Sequence, residues 1–228
     1  MKTMKHLTNH SIIPRRLATG SLLLPFLFLL FACTSDNDDE SYPSLVTEMV
    51  MAQANAQGQM VSFTTDDGQT YIVDNDIHGM TANSRIRCLC GYVTGEPGHA
   101  TVYNAMTVLI LARVPSNIAI KHHPTGIASA WLSGRYVNLH LTPKTQGGKQ
   151  TWGFSTDSVT PNTLGGSTHH LSLYHDQNDD ATSYTSDLYA AISLDSITAT
   201  PLTPFDSIRL SVTTFNGIAF WQFRPFGQ

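Results

Sequence analysis

Apolar and polar residues alternate along most of this chain in short runs, and Gly, Pro, Asn and Asp interrupt them at regular intervals. A period of two places successive side chains on opposite faces of a strand, so the pattern predicts β-structure throughout. Leu45–Val50, Met60–Phe63 and Thr70–Val73 read as strands, separated by Gln57-Gly58 and by Asp66-Asp67-Gly68 and ended by Asp74-Asn75-Asp76. Asp-Gly and related pairs supply the positive φ angles that tight hairpins need. A further hairpin joins Arg85–Val93 to Ala100–Val108 through Glu96-Pro97-Gly98. Five strands in about seventy residues predict a small OB-like five-stranded barrel over residues 43–114, with Ile77 to Asn83 as a short helix or turn between the third and fourth strands.

Residues 115–126 carry Pro115, Ser116, Asn117, Pro124 and Gly126 with little periodicity, and read as a linker. A β-sandwich is expected over residues 127–228. Ala128–Leu132 and Tyr136–Leu141 are strands, the second alternating strictly so that Val137, Leu139 and Leu141 share a face. Thr145 to Lys149 turns the chain into Thr151–Ser155, and Leu171–His175 and Leu188–Leu194 follow. Ser207–Phe215, Asn216-Gly217 and Ile218–Phe223 form the clearest hairpin signal. No long amphipathic helix, heptad or internal repeat is present. The fold class is therefore all-β, a barrel followed by a sandwich.

The first residues follow another pattern. Lys2, Lys5, Arg15 and Arg16 precede the apolar run Leu22 to Phe31, broken only by Pro25, which is too short for a spanning helix. Leu30-Phe31-Ala32-Cys33 then fits a lipoprotein signal peptide over residues 1–32, with Cys33 as the lipidated residue and new N-terminus. Two or more acyl chains suffice for a stable membrane anchor where one is marginal. The alternative is an ordinary secretory signal. Residues 33–42 hold Asp36, Asp38, Asp39 and Glu40, whose mutual repulsion suits an extended acidic tether. A run of this kind also resembles the export tag of surface lipoproteins of Bacteroidota. The expected location is the outer membrane, with cell-surface display favoured over the periplasmic face.

Composition limits the partners. Cleavage before Cys33 would move the formal net charge from −4 to −8, because four of the thirteen Lys and Arg residues and none of the seventeen Asp and Glu residues lie in the removed segment. No Lys or Arg cluster follows, so nucleic acid is not an expected partner. Besides Cys33 the chain has only Cys88 and Cys90, two apart on one strand face, which are expected to be buried thiols.

Candidate catalytic and metal motifs fall short. His122-His123, His140, His169-His170 and His175 contain no helical His pair and no His-Cys grouping. Asp176, Asn178 and Asp180 match the first ligands of a calcium loop, but Ala181 stands where the turn needs Gly and Asp187 where the loop needs Glu. Pro143 to Gln150 lacks the leading Gly and the hydroxyl after Lys of a phosphate loop, and Gly153-Phe154-Ser155-Thr156-Asp157 misses the nucleophile elbow at its last position. Glutamate occurs only at positions 40, 48 and 96, so no carboxylate pair for glycoside hydrolysis emerges. No catalytic, cofactor-binding or metal residues are assigned. Tyr42, Trp152, Tyr174 and Trp221 remain as aromatics that could stack on sugars or pack across strands.

Several segments together carry a resemblance: the Cys33 motif with its acidic tail, Tyr42-Pro43-Ser44-Leu45-Val46-Thr47-Glu48, Thr65-Asp66-Asp67-Gly68-Gln69-Thr70-Tyr71, Asn138 to Gly148, and Thr214-Phe215-Asn216-Gly217-Ile218. The chain resembles the NigD-like lipoproteins of Bacteroidota over nearly all of the predicted mature length. The resemblance implies an N-terminal OB-like domain and a C-terminal β-sandwich, in agreement with the strand pattern. It implies no catalytic or ligand residues, and it points to bacteriocin immunity through the operon that gave the family its name. The expected function is a non-catalytic, lipid-anchored binding or accessory module that takes a protein, toxin or glycan ligand. Bacteriocin immunity and an envelope or glycan hydrolase are the alternatives.

Overall fold

A computed structural model describes residues 44–226; Cys33, the signal segment 1–32, the acidic segment 33–42 and Tyr42 lie outside the described residues. Among the described residues the regular structure is almost entirely strand, with one 3₁₀ turn at Leu194–Ser196.

The first five strands are β1 (Val46–Ala54), β2 (Met60–Thr65), β3 (Thr70–Val73), β4 (Arg85–Thr94) and β5 (His99–Thr107). They close into a barrel in the order β1-β2-β3-β5-β4, with β3 and β5 parallel, which is the topology of an OB barrel. Alternate residues of each strand point inward. Val50, Ala52, Met60, Phe63, Cys88, Cys90, Tyr92, Ala100 and Val102 fill the interior, and Phe63, Tyr71 and Tyr92 form a mutual aromatic cluster with centroids 4.7 to 5.7 Å apart. The Tyr92 hydroxyl donates to Glu48 inside this barrel. Both thiols are free and buried, as expected from the sequence. Burial pushes them up, Cys90 to about 12 with help from Cys88 and Glu48. The segment after β3 contains no helix. It is pinned instead at Gly58, whose φ of +71° permits a turn and where a Cβ would sit 2.4 Å from the Met80 carbonyl oxygen.

The remaining strands are β6 (Leu109–Ile110), β7 (Gly126–Ser133), β8 (Tyr136–Thr142), β9 (Lys144–Thr145), β10 (Thr151–Pro161), β11 (Ser167–Asp176), β12 (Tyr184–Thr185), β13 (Leu188–Ser193), β14 (Ser207–Thr214) and β15 (Gly217–Phe223). They form two four-stranded sheets, β6-β13-β8-β7 and β10-β11-β14-β15, and a small β9-β12 ribbon. The sheets bury a shared core. Val137, Leu139 and Leu141 are fully buried on one face of β8, as their alternation predicts, and meet Phe154, Leu171, Leu173, Ile208, Leu210 and Val212. Two pairings, β6 with β13 and β11 with β14, are parallel.

Local hydrophobicity does not reveal where one unit gives way to the next. Residues 109–114, which the sequence groups with the barrel, are held by the sandwich: β6 pairs with β13, Leu111 N–H donates to Ala191, and Arg113 bridges to Phe154. The segment 115–126 runs against the second sheet, with His122 bridging to His175 and Thr125 N–H donating to the Thr213 carbonyl. Gly126 already begins β7; its missing Cβ leaves room for Thr142, whose hydroxyl oxygen would lie 2.2 Å from it.

The barrel docks on the outer face of sheet β6-β13-β8-β7. Met49, Leu89 and Val108 from the barrel side pack with Trp131, Tyr136, Tyr189 and Ala191. Beside this apolar contact lies Arg87, 1 % exposed. Its guanidinium makes a bidentate pair with Asp66 at 2.9 and 2.7 Å, donates to Asn138 Oδ1 at 2.9 and 3.3 Å, and lies 3.9 Å from the Tyr136 ring centroid. Asp66 sits in the β2–β3 turn, against Gly134 of the β7–β8 turn, where a Cβ would come within about 3.0 Å of it. One arginine therefore ties two barrel elements to the sandwich.

Candidate functional site

The histidines are distributed rather than gathered. His140 Nε2 lies 2.6 Å from Asp187, and the ring stacks on Tyr189 with centroids 4.4 Å apart. His170 contacts the Thr160 hydroxyl, while buried His169 Nδ1 has no partner among the described residues. His123 and His175 do approach each other, with centroids 6.2 Å apart. His175 stacks flat on Trp152 at 3.8 Å, its Nδ1 donates to the His123 carbonyl, and its Nε2 faces Gln150 Oε1. Burial holds this imidazole below its ordinary range, against the opposing pull of the His123 carbonyl. Among the described residues no three His, Cys, Asp or Glu side chains form a group that could hold a metal ion.

The acidic loop after β11 turns its side chains to separate partners. Asp176 pairs with Lys121 at 2.6 Å and accepts from Asn178 N–H, and the Asn178 amide donates to Lys149 and Thr151. Asp180 accepts from the Thr145 hydroxyl, the Gln150 amide and the backbone N–H groups of Gln146 and Gly148. These bonds, that of Thr145 foremost, lower its pKa to about 2. A carboxylate with four donors is a turn anchor: it fixes the 145–150 hairpin against β11.

Ser155 lies within β10, where its hydroxyl donates to Asp157 at 2.8 Å; Ser172 donates to the other Asp157 oxygen. Asp157 occupies a bulge between Thr156 and Ser158, beside a cavity of about 550 Å³ lined in part by Arg113 and Ile120. No imidazole contacts Ser155 among the described residues. The Ser155 hydroxyl is thus paired with a carboxylate and not with the imidazole of a Ser-His-Asp arrangement.

The aromatic candidates resolve by strand face. Tyr174 is buried, and Trp152 and Trp221 pack against the sandwich core. On β15 the positions that alternate with Trp221 are the exposed ones. On β15, Ile218 and Phe220 stand in solvent, and Phe215 is exposed at the hairpin tip. Arg209 of β14 reaches diagonally over the Phe220 ring, 4.5 Å from its centroid, and Lys144 sits 4.9 Å from the Phe215 centroid. Among the described residues neither cation has a carboxylate within ion-pair distance. A shallow depression of about 350 Å³ runs beside Arg209, Phe220, Trp221 and Gln222. The sequence hides this surface because β15 is apolar on both faces, so alternation cannot say which face is outside.

Edge position makes the surface more than a patch. β15 is last in its sheet, so alternate N–H and C=O groups point away from β14. The other edges are blunted: β6 has two residues, β7 is bulged between Ile127 and Ser129, and β10 is bulged at Asp157 and ends in Pro161. β15 pairs with β14 without a bulge and contains neither charge nor proline. β7 passes near it without a backbone hydrogen bond to it. A second concavity, about 590 Å³ and lined by Leu89, Ala105, Met106, Asp187 and Tyr189, opens at the barrel–sandwich junction.

Residues 111–223 match the family model of the NigD-like C-terminal β-sandwich domain. Solved structures share the whole two-part fold. A NigD-like immunity protein from Bacteroides caccae aligns with a TM-score of 0.61 at 23% identity, covering 81% of this chain and 99% of its own. A candidate toxin-related protein from Parabacteroides distasonis aligns at 0.60 and 13% identity, covering 79% and 92%, and a candidate lipoprotein from Bacteroides fragilis at 0.55 and 12%, covering 79% and 97%. No curated protein matches the sequence. The C-terminal sandwich is thus a NigD-like C-terminal β-sandwich domain, and the solved structures show that the fold of barrel and sandwich together is a shared one.

Proposed function

We propose that this protein is a lipid-anchored, non-catalytic module of the cell envelope that binds a protein partner along the free edge of β15. The observation that carries the reading is the unblunted edge itself, a run of seven uncharged residues with Ile218 and Phe220 exposed. Such an edge invites strand addition, and proteins that have no use for one cover or charge it. Anchoring rests on Cys33 at the end of the apolar run and before the acidic segment, and the lipoprotein named among the structural relatives supports it. The acidic run favours the cell surface as the side on which the domains stand. The non-catalytic reading rests on Ser155 and Asp157 without an imidazole, and on histidines held in separate contacts.

A photo-crosslinking residue at position 220, with a control at exposed Ile72 on the barrel, tests the partner surface in living cells. A discrete protein adduct from position 220 and none from position 72 is expected. Equal adducts, or none at 220, refute the reading. Protease shaving of intact cells tests the location with a C-terminal tag and a Cys33→Ala control. Loss of the tag while a periplasmic marker survives places the domains outside.

Bacteriocin immunity is the second reading, favoured by the B. caccae relative, whose chain is matched almost completely and is named an immunity protein. It predicts that a deletion strain is more sensitive than its parent to toxins of its own or neighbouring strains.

A further inference from the structure

We infer that the partner segment taken up by β15 is an acidic strand, an extended stretch of protein with Asp or Glu at alternate positions. The inference rests on the reading of β15 as a protein-binding edge and adds the chemistry that selects its occupant.

Charge placement carries it. Few Lys or Arg residues follow Cys33, and two of them, Arg209 and Lys144, stand beside the exposed phenyl rings of the hairpin without a carboxylate partner among the described residues. Arg209 starts on β14 opposite Gln222, yet its guanidinium lies over Phe220 of β15. The charge is thereby carried toward the vacant strand position, which lies one strand spacing of about 4.8 Å beyond β15. Its planar fork, supported by an aromatic face, is set for bidentate contact with a carboxylate. Lys144 marks the hairpin end of the same edge. An added strand would hydrogen-bond to the outward backbone groups of β15 and lay its apolar side chains on the opposite face, beside Ala219 and Trp221. Its carboxylates, at the alternate positions that share the face of Ile218, Phe220 and Arg209, would then meet Arg209 and Lys144.

The same charges oppose a second copy of this chain. Antiparallel pairing of two β15 strands about Phe220 would bring two Arg209 guanidinium groups together, and like charges across a pair are unfavourable. The edge is open to foreign strands and biased against itself.

The test uses protein extracted from membranes in mild detergent and four fluorescent probes. These are a peptide alternating Glu with Val and Thr, its Lys counterpart, the Glu peptide with alternate backbone nitrogens methylated, and an oligogalacturonate. The Glu peptide should bind, and the Lys peptide should bind about tenfold or more weakly. Arg209→Gln should weaken the Glu peptide about tenfold, narrow its advantage over the Lys peptide and leave the unfolding midpoint in place, since the side chain is exposed. Methylation should abolish binding. Equal binding of the Glu and Lys peptides, with methylation still abolishing it, overturns the acidic preference and leaves the strand-addition reading standing. Binding of the methylated peptide at full strength, or of oligogalacturonate alone, overturns both strand addition and a protein occupant. No binding by any peptide at millimolar concentration, or a dimer held through position 220, overturns the inference as well.

Discussion

Replacing Arg87 should weaken the barrel and sandwich as one cooperative body. The side chain is 1 % exposed, and Arg87→Met removes the bidentate pair with Asp66, both contacts to Asn138 Oδ1 and the stack on Tyr136. Breaking one partner of a buried pair costs about 3–5 kcal/mol, because the other charge stays behind. Here the Asp66 side chain keeps 10% exposure and can partly rehydrate, which argues for the lower part of that range. Asp66→Asn alone should cost about 2–3 kcal/mol, since it strands the guanidinium. The Arg87→Met/Asp66→Asn double variant should cost about the same as Arg87→Met alone, so the coupling is on the order of 2–3 kcal/mol. Urea unfolding resolves these values when two probes are followed: the fluorescence of Trp131 in a Trp152→Phe/Trp221→Phe background reports the junction, and alkylation of buried Cys88 and Cys90 reports the barrel interior. Coincident transitions are expected for both. A loss below about 1 kcal/mol for Arg87→Met, or strictly additive single variants, would refute the latch.

Three further outcomes follow from particular contacts. Gly166→Ala should destabilise by about 1–3 kcal/mol in the same urea assay, because the added Cβ would lie 2.4 Å from the Phe205 carbonyl oxygen, a backbone atom that cannot swing away. Asp180, depressed to about 2 chiefly by the Thr145 hydroxyl, should stabilise the fold fully above its unfolded value near about 4 and lose that contribution as pH falls toward 2. In Asp180→Asn the stability–pH curve should be flatter across that window, and an unchanged slope would count against the anchor role. Cys88 and Cys90, buried and pushed up by burial, should resist iodoacetamide at pH 8 in the native protein and react promptly in urea; prompt native labelling would contradict the barrel packing.

Most of the strands were legible because hairpins announce themselves locally. Asp67-Gly68 and Pro97-Gly98 mark turns whose flanking strands lie where alternation puts them, and β3 begins and ends at the residues expected. At the last hairpin the turn falls on Phe215 and Asn216, with Gly217 opposite Thr214 as the positive-φ residue, one position earlier than the Asn-Gly signal suggests. Non-local pairing was not legible. The parallel contacts of β6 with β13 and β11 with β14 join residues far apart in sequence, and nothing in Leu109-Ile110 distinguishes a barrel end from a sandwich edge. Arg87 was equally silent, since a charged residue in a strand reads as solvent-facing until a second domain covers that face. The departures of the acidic loop from a calcium loop at Ala181 and Asp187 are visible in the sequence, but Asp180 as a turn anchor depends on donors from positions 145 to 150 that only the fold brings near.

The docking of the barrel also decides which sandwich surface is left for a partner. A two-sheet sandwich presents two outer faces, and here Trp131, Tyr136, Asn138 and Tyr189 on the outer face of β6-β13-β8-β7 are engaged by the barrel or border its junction. On the sheet β10-β11-β14-β15 the segment 112–126 covers part of the β10–β11 side, while Arg209, Ile218 and Phe220 stay exposed on the β14–β15 side, beside Ser172 and Ser211, which are hydrogen-bonded to each other across β11 and β14. If the Arg87 latch holds the two units as one body, this sheet cannot be covered by a swing of the barrel. The latch and the edge are then separable by mutation. Arg87→Met should shift unfolding without altering peptide binding under conditions where the protein stays folded, and Arg209→Gln should do the reverse. A variant of Arg87 that stays folded yet loses peptide binding would mean that the barrel shapes the β15 site, and the division of roles between the two sheets would fall.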